Sequence, residues 1–120
     1  AIIAAGSQPV KIPGFPHDDE RVVSSTGALQ LKSIPQRMLV VGGGIIGLEM
    51  ATVYHELGSK VTVVELMDAI IPGADKDLVR PLERRLQETF AEVSTGTKVT
   101  AMREVKGGVM NASAASPALA

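Results

Sequence analysis

The sequence predicts an α/β fold, and three observations carry that expectation. Met38–Val41 and Val61–Val64 are short runs rich in valine, as expected of strands in a parallel sheet covered on both faces. Between them, residues 44–57 are long enough for about four helical turns. Ile46, Met50, Val53 and Leu57 recur there at helical spacing and make one apolar face. A glycine-rich turn, Gly42-Gly43-Gly44-Ile45-Ile46-Gly47, joins the first strand to the helix and satisfies G-x-G-x-x-G with Gly42, Gly44 and Gly47.

Each part of this strand–turn–helix–strand unit has a chemical reason. Gly42 permits the tight turn out of the strand. Gly44 has no side chain, so a pyrophosphate can approach the backbone. Gly47 lets the helix pack closely on the strands. The helix N-terminus presents unpaired N–H groups and partial positive charge to phosphate. Gly58 falls where a left-handed cap would end the helix. Glu65 stands 18 residues after Gly47, at the carboxyl end of the second strand. A carboxylate there accepts hydrogen bonds from an adenosine ribose and repels a 2′-phosphate, which points to NAD rather than NADP. A lone G-x-G-x-x-G is a weak signal. Here it follows a strand, opens a helix and has its acid at the right distance, which is the context a partial Rossmann-like βαβ unit requires.

Before this unit, Ile2–Ala5 reads as a short buried strand ending on Gly6-Ser7. Pro9, Pro13, Gly14 and Pro16 make residues 8–20 a loop. Ser24 to Gly27 could cap a short helix over Ala28–Leu31. Residues 8–36 therefore look like a crossover between two folding units. After Glu65, Pro72-Gly73 marks a turn. Leu78, Leu82, Leu86 and Phe90 recur every fourth residue as a buried helical stripe, with Asp75 or Asp77 as cap. Pro81 argues for a start near Leu78, where it removes only the first helical hydrogen bond. Ala91–Val93 reads as a third parallel strand. Residues 98–104 alternate as an antiparallel strand would, and Gly107-Gly108 signals a hairpin. Val109-Met110 opens the return strand, which is expected to break off there. Residues 111–120, NASAASPALA, read as a disordered tail.

Composition excludes several functions. The 120 residues carry 12 basic and 13 acidic side chains, a formal net charge of −1, so no face is advertised for nucleic acid or an anionic membrane. No apolar run approaches the roughly 20 residues of a membrane helix. No basic segment precedes the opening apolar run, so no signal peptide is read and a cytoplasmic location is expected. There is no cysteine, which removes disulfides, thiolate metal sites and cysteine nucleophiles. His17 beside Asp18-Asp19 lies in a loop too irregular to organise a metal, and His55 beside Glu56 reads as solvent-facing. A strand-like run starting at residue 1 without methionine is expected of a fragment.

AIIAAGSQP, STGALQL, LVVGGGIIGLEMATVYHELGSKVTVVE, IPGADKDL and TKVTAM resemble, in register from Ala1 to about Val109, dihydrolipoamide (dihydrolipoyl) dehydrogenase of the pyridine nucleotide–disulfide oxidoreductases. The resemblance implies an oxidoreductase fragment: residues 1–36 ending an FAD-binding domain and crossing over, residues 37–110 forming an incomplete NAD-binding domain. It implies that Ala5, Gly6 and Ser7 lie against FAD, with Ala5 replacing the usual threonine. It implies that Gly42, Gly43, Gly44, Ile45, Ile46, Gly47 and Leu48 hold the NAD pyrophosphate, that Glu49 lies near the nicotinamide, Glu65 on the ribose and Val99 along the adenine. Without it, Glu49 reads as an acid favoured by the helix dipole in a first turn, and Val99 as an ordinary strand residue. The family's FAD glycine motif, redox disulfide and C-terminal dimer domain with its histidine and glutamate have no counterpart in these residues. The expectation is therefore the NAD(H) end of a homodimeric flavoenzyme serving a 2-oxoacid dehydrogenase complex, inactive as this chain alone. Three other readings are a stand-alone NAD-binding module, a non-functional gene fragment that folds poorly, and a sister flavin enzyme of the soluble transhydrogenase or mercuric reductase type.

Overall fold

The two runs read as strands pair in parallel, as their valine-rich sequences require. The computed structural model describes residues 1–115. In chain order the elements are α1 (Ser25–Ala28), β1 (Arg37–Val41), α2 (Ile45–Glu56), β2 (Lys60–Val64), α3 (Lys76–Thr89), β3 (Glu92–Ser94), β4 (Thr97–Val105) and β5 (Gly108–Ala115). One sheet has the order β1-β2-β3, all parallel, with Val40 beside Val63 and Val63 beside Val93. β4 and β5 form a separate antiparallel hairpin. The core gathers Val40, Val61, Val63, Leu48, Ala51, Tyr54, Ile70, Val79, Leu86 and Phe90 between the sheet and its helices. Val61, Val63 and Ile70 are fully buried, each contributing about 1.5–3 kcal/mol by leaving water.

The helix of the βαβ unit forms where the spacing puts it but turns a different face inward. Ile46, Val53 and Leu57 of the expected face are 61%, 40% and 49% exposed, whereas Leu48, Ala51 and Tyr54 are buried. Met50 alone of the expected set packs partly against the core. α2 carries apolar residues on nearly every side, so periodicity leaves the choice open. Gly47 makes it: the residue that must touch β1 brings Ala51 and Tyr54 round with it. The Tyr54 hydroxyl donates to the Ala28 carbonyl at 2.8 Å and fastens α1 to α2.

α3 begins at Lys76 with Asp75 at the N-cap position, two residues earlier than Pro81 suggested. Leu78 is 76% exposed and Val79 takes its place in the buried stripe with Leu82, Leu86 and Phe90. Pro81 therefore sits inside the helix, where its missing N–H leaves the Asp77 carbonyl without its helical partner. α1 is Ser25–Ala28 rather than Ala28–Leu31: the Ser24 hydroxyl accepts from the Gly27 N–H, and Leu31 has a left-handed φ of 47° that ends the segment.

Two further expectations are corrected. Ile2–Ala5 forms no strand and is exposed, Ile2 at 96% and Ile3 at 91%, because no described strand lies beside it to complete its hydrogen bonds. The return strand does not break off after Met110. β5 continues through Ala115, pairing Asn111 with Met102 and Ala115 with Thr97. A ladder is made by backbone groups, so the small residues that read as a tail satisfy it. Residues 116–120 of the expected tail lie outside the described residues. His55 is half-buried rather than solvent-facing, its ring 5.7 Å from that of Phe90.

Candidate functional site

The site is built where β1 ends. Gly42, at φ +114°, turns the chain out of the strand while its N–H donates to the Val64 carbonyl at 2.8 Å. Gly44 then occupies the N-cap of α2 with no side-chain cap, and the first helical bond runs from the Leu48 N–H to the Gly44 carbonyl at 3.0 Å. The N–H groups of Ile45, Ile46 and Gly47 therefore lie in the first turn without helical partners. A Cβ built on Gly44 meets nothing within 4 Å, so the space in front of the turn is open. A Cβ on Gly47 would fall 2.2 Å from the Gly42 carbonyl oxygen and 3.3 Å from Val40 Cγ1, which is why helix and strand can cross so closely only at glycine.

Gly43, the middle glycine, has a reason that the motif spacing does not supply. Its N–H donates to Glu65 Oε2 at 2.6 Å, and its carbonyl accepts from the Ile71 N–H at 2.9 Å. A Cβ there would lie 3.1 Å from both Glu65 Cβ and Ile70 Cγ2. Glu65 follows the last residue of β2 and is 7% exposed. Its other oxygen, Oε1, accepts from the Met67 N–H at 2.7 Å. Ile71 has a left-handed φ of 47°, an unfavourable conformation for a β-branched residue, held by the bond to Gly43 and by buried Ile70 beside it. The signal for this segment in the sequence was only Pro72-Gly73 as a turn.

The structure thus brings Gly42, Gly43, Gly44, Ile45, Ile46, Gly47, Leu48 and Glu65 together at the carboxyl end of the parallel strands. Glu49 lies in the second turn of α2, not the first, and is exposed. Val99 lies on β4, half-buried beside the irregularity between Val99 and Ala101. It is two residues beyond Thr97, whose N–H donates to the Glu65 carbonyl at 2.9 Å. Ala5, Gly6 and Ser7 are exposed and lie outside every element, and they are not among the residues gathered at the glycine turn. A shallow hollow lined by His55, Ser59, Lys60, Phe90 and Ala91 lies at the opposite, amino-terminal end of the strands. Among the described residues there is no cluster of three or more metal-ligating side chains, and no helix is long and apolar enough to cross a membrane. Electrostatic perturbation is clearest in the loop before α1. There the Arg21 guanidinium donates to Asp19 and holds its carboxyl below the usual carboxylate range, and Asp19 in turn raises Arg21.

A parallel βαβ unit with a glycine turn at its carboxyl end defines an α/β protein of the Rossmann-like class. More narrowly, the chain belongs to the pyridine nucleotide-disulphide oxidoreductase family, whose model matches residues 1–116. It is 53% identical over 109 residues to the dihydrolipoyl dehydrogenase of Vibrio parahaemolyticus, a match covering 91% of this chain and 23% of that protein. The dihydrolipoyl dehydrogenase of Haemophilus influenzae is 51% identical over 109 residues, again 91% of this chain and 23% of the relative. The chain therefore spans about a quarter of the length of the curated relatives it matches. Among solved structures, LpdA from Mycobacterium tuberculosis superposes with a TM-score of 0.80 at 29% identity, over 90% of this chain and 24% of that one. The flavoprotein disulfide reductase RclA from Escherichia coli gives 0.81 at 29% identity, over 90% and 25%.

Proposed function

We propose that this chain binds NAD(H) at the Gly42–Glu65 turn and is the NAD-binding part of a dihydrolipoyl dehydrogenase-like flavoenzyme. The observation that carries the reading is the open space before Gly44, faced by the first-turn N–H groups of α2 and flanked by the Glu65 carboxylate. The pyrophosphate is held by the N–H groups of Ile45, Ile46 and Gly47, where the helix adds its partial positive charge. Glu65 accepts from the adenosine ribose hydroxyls and disfavours a 2′-phosphate, which selects NAD over NADP. Val99 lies along the adenine, and exposed Glu49 stands toward the nicotinamide end. NAD, when bound, supplies a hydride acceptor; what these residues contribute is position and charge.

The reaction of the whole enzyme in this reading is oxidation of dihydrolipoamide by NAD, in a homodimer that serves a 2-oxoacid dehydrogenase complex. It is supported by about 50% identity to dihydrolipoyl dehydrogenases over nine tenths of the chain. With no cysteine in its 120 residues, this chain does not itself supply the redox thiols of that reaction.

Titrating the chain with NADH and, in parallel, NADPH, by nucleotide fluorescence, tests the reading. Saturable NADH binding with weaker NADPH binding is expected. A folded chain that binds neither would overturn it.

A further inference from the structure

In the reading above the Glu65 carboxylate accepts from the ribose; in the structure the same carboxylate holds the backbone of the glycine turn. Oε2 takes the Gly43 N–H at 2.6 Å and Oε1 takes the Met67 N–H at 2.7 Å. The side chain is 7% exposed, so these bonds are made largely out of water, where a charged acceptor is strongest. An ionised carboxylate has about four lone-pair sites. Two N–H donors leave roughly two for ribose hydroxyls, so holding the turn and reading the ribose do not compete.

The opposite side of Gly43 is fixed as well. Its carbonyl accepts from Ile71, and Ile70 packs where a Cβ on Gly43 would sit. The peptide groups on either side of Gly43 are thus tied, one to Glu65 and the other to Ile71. Gly43 immediately precedes Gly44, so the Glu65 bond governs where the first-turn N–H groups point.

We propose that Glu65 is a positioning residue for the pyrophosphate turn as well as the acceptor for ribose. The acid that sets nucleotide preference is thereby built into the site for the part that NAD and NADP share. This rests on the NAD-binding reading above and goes beyond it. It follows that Glu65→Ala loosens the turn, so that part of its cost falls on the pyrophosphate and not on the ribose alone.

The test pairs variants of the full chain with two ligands: NADH, and an NADH analogue lacking both hydroxyls on the adenosine ribose. Glu65→Ala removes both roles, whereas Glu65→Gln keeps one acceptor oxygen for the turn. If Glu65 positions the turn, Glu65→Ala weakens the analogue as well as NADH, each by about tenfold or more, and Glu65→Gln lies between Ala and wild type. In the amide proton spectrum, the Gly43 resonance then moves away from its hydrogen-bonded position in Glu65→Ala. If Glu65→Ala weakens NADH but leaves the analogue at its wild-type affinity, the positioning role is refuted while ribose recognition stands. If the folded wild-type chain binds no NADH, the nucleotide reading itself fails, and this proposal with it. Should Glu65→Ala not fold, Glu65→Gln alone decides by the same comparison of NADH with the analogue.

Discussion

Replacing Gly47 by alanine is the sharpest perturbation this structure offers. The added Cβ would lie 2.2 Å from the Gly42 carbonyl oxygen. A carbon–oxygen contact is comfortable at about 3.3–3.6 Å, so the start of α2 must retreat from β1 by roughly 1 Å. Overpacking of this kind costs about 1–3 kcal/mol, and a clash with backbone rather than a yielding side chain belongs at the upper end. Alanine returns about 1 kcal/mol through its helix propensity. The net expectation is a loss of about 2 kcal/mol, read as a lower urea midpoint in circular dichroism at an unchanged slope. Because the retreating turn carries the first N–H groups, NADH affinity should fall by about tenfold. Gly44→Ala is the contrast. With nothing within 4 Å of its Cβ, it should cost less than about 1 kcal/mol of stability, yet place a methyl group in the open space and weaken NADH far more than it weakens the fold. A Gly47→Ala chain as stable as the parent, with unaltered NADH binding, would refute the close-crossing argument.

Three other outcomes are expected. Tyr54→Phe removes a buried hydroxyl that donates to the Ala28 carbonyl and should cost about 1 kcal/mol in denaturant melts, with α1 exchanging its amide protons faster than before. Pro81→Ala restores the hydrogen bond to Asp77 and should stabilise by about 2 kcal/mol; an unchanged melting midpoint would show that α3 has adapted fully to its proline. The Asp19 carboxyl, lowered mainly by its side-chain hydrogen bond with Arg21, contributes stability above the unfolded-chain value of about 4 and loses it as pH falls through its lower folded value. Arg21→Ala should move the Asp19 midpoint back up in a carbon-13 carboxyl titration, and a midpoint that stays put would refute the pairing.

The sequence made the βαβ unit legible because its signals are local and redundant. Val61–Val64 is β-prone, Gly42 to Gly47 has its own spacing, and Glu65 stands at a fixed interval. The buried face of α2 was not legible, since Ile46, Val53 and Leu57 are as apolar as Leu48 and Tyr54, and only packing at Gly47 chooses between the two faces. In α3, three of the four stripe residues were readable. Leu78 was not, because its apolarity says nothing of the neighbouring Val79, which the sheet takes instead. Residues 111–115 were unreadable as strand because a backbone ladder leaves little mark on small side chains. Glu65 was found as an acid, but its bond to Gly43 joins residues 22 apart and no spacing rule records it.

That separation has a consequence for how the chain acquires its site. The Gly43–Glu65 bond closes a loop of 22 residues that contains all of α2, and the Thr97–Glu65 backbone bond closes another that contains α3. Each contact forms only when the helix inside its loop has been laid against the sheet, so the loop-closure entropy is spent before the contact is made. Local segments such as α2 can nucleate early, whereas the glycine turn is expected to take its shape late in folding. Destabilising substitutions at this junction should therefore quicken unfolding while leaving the folding rate nearly unchanged.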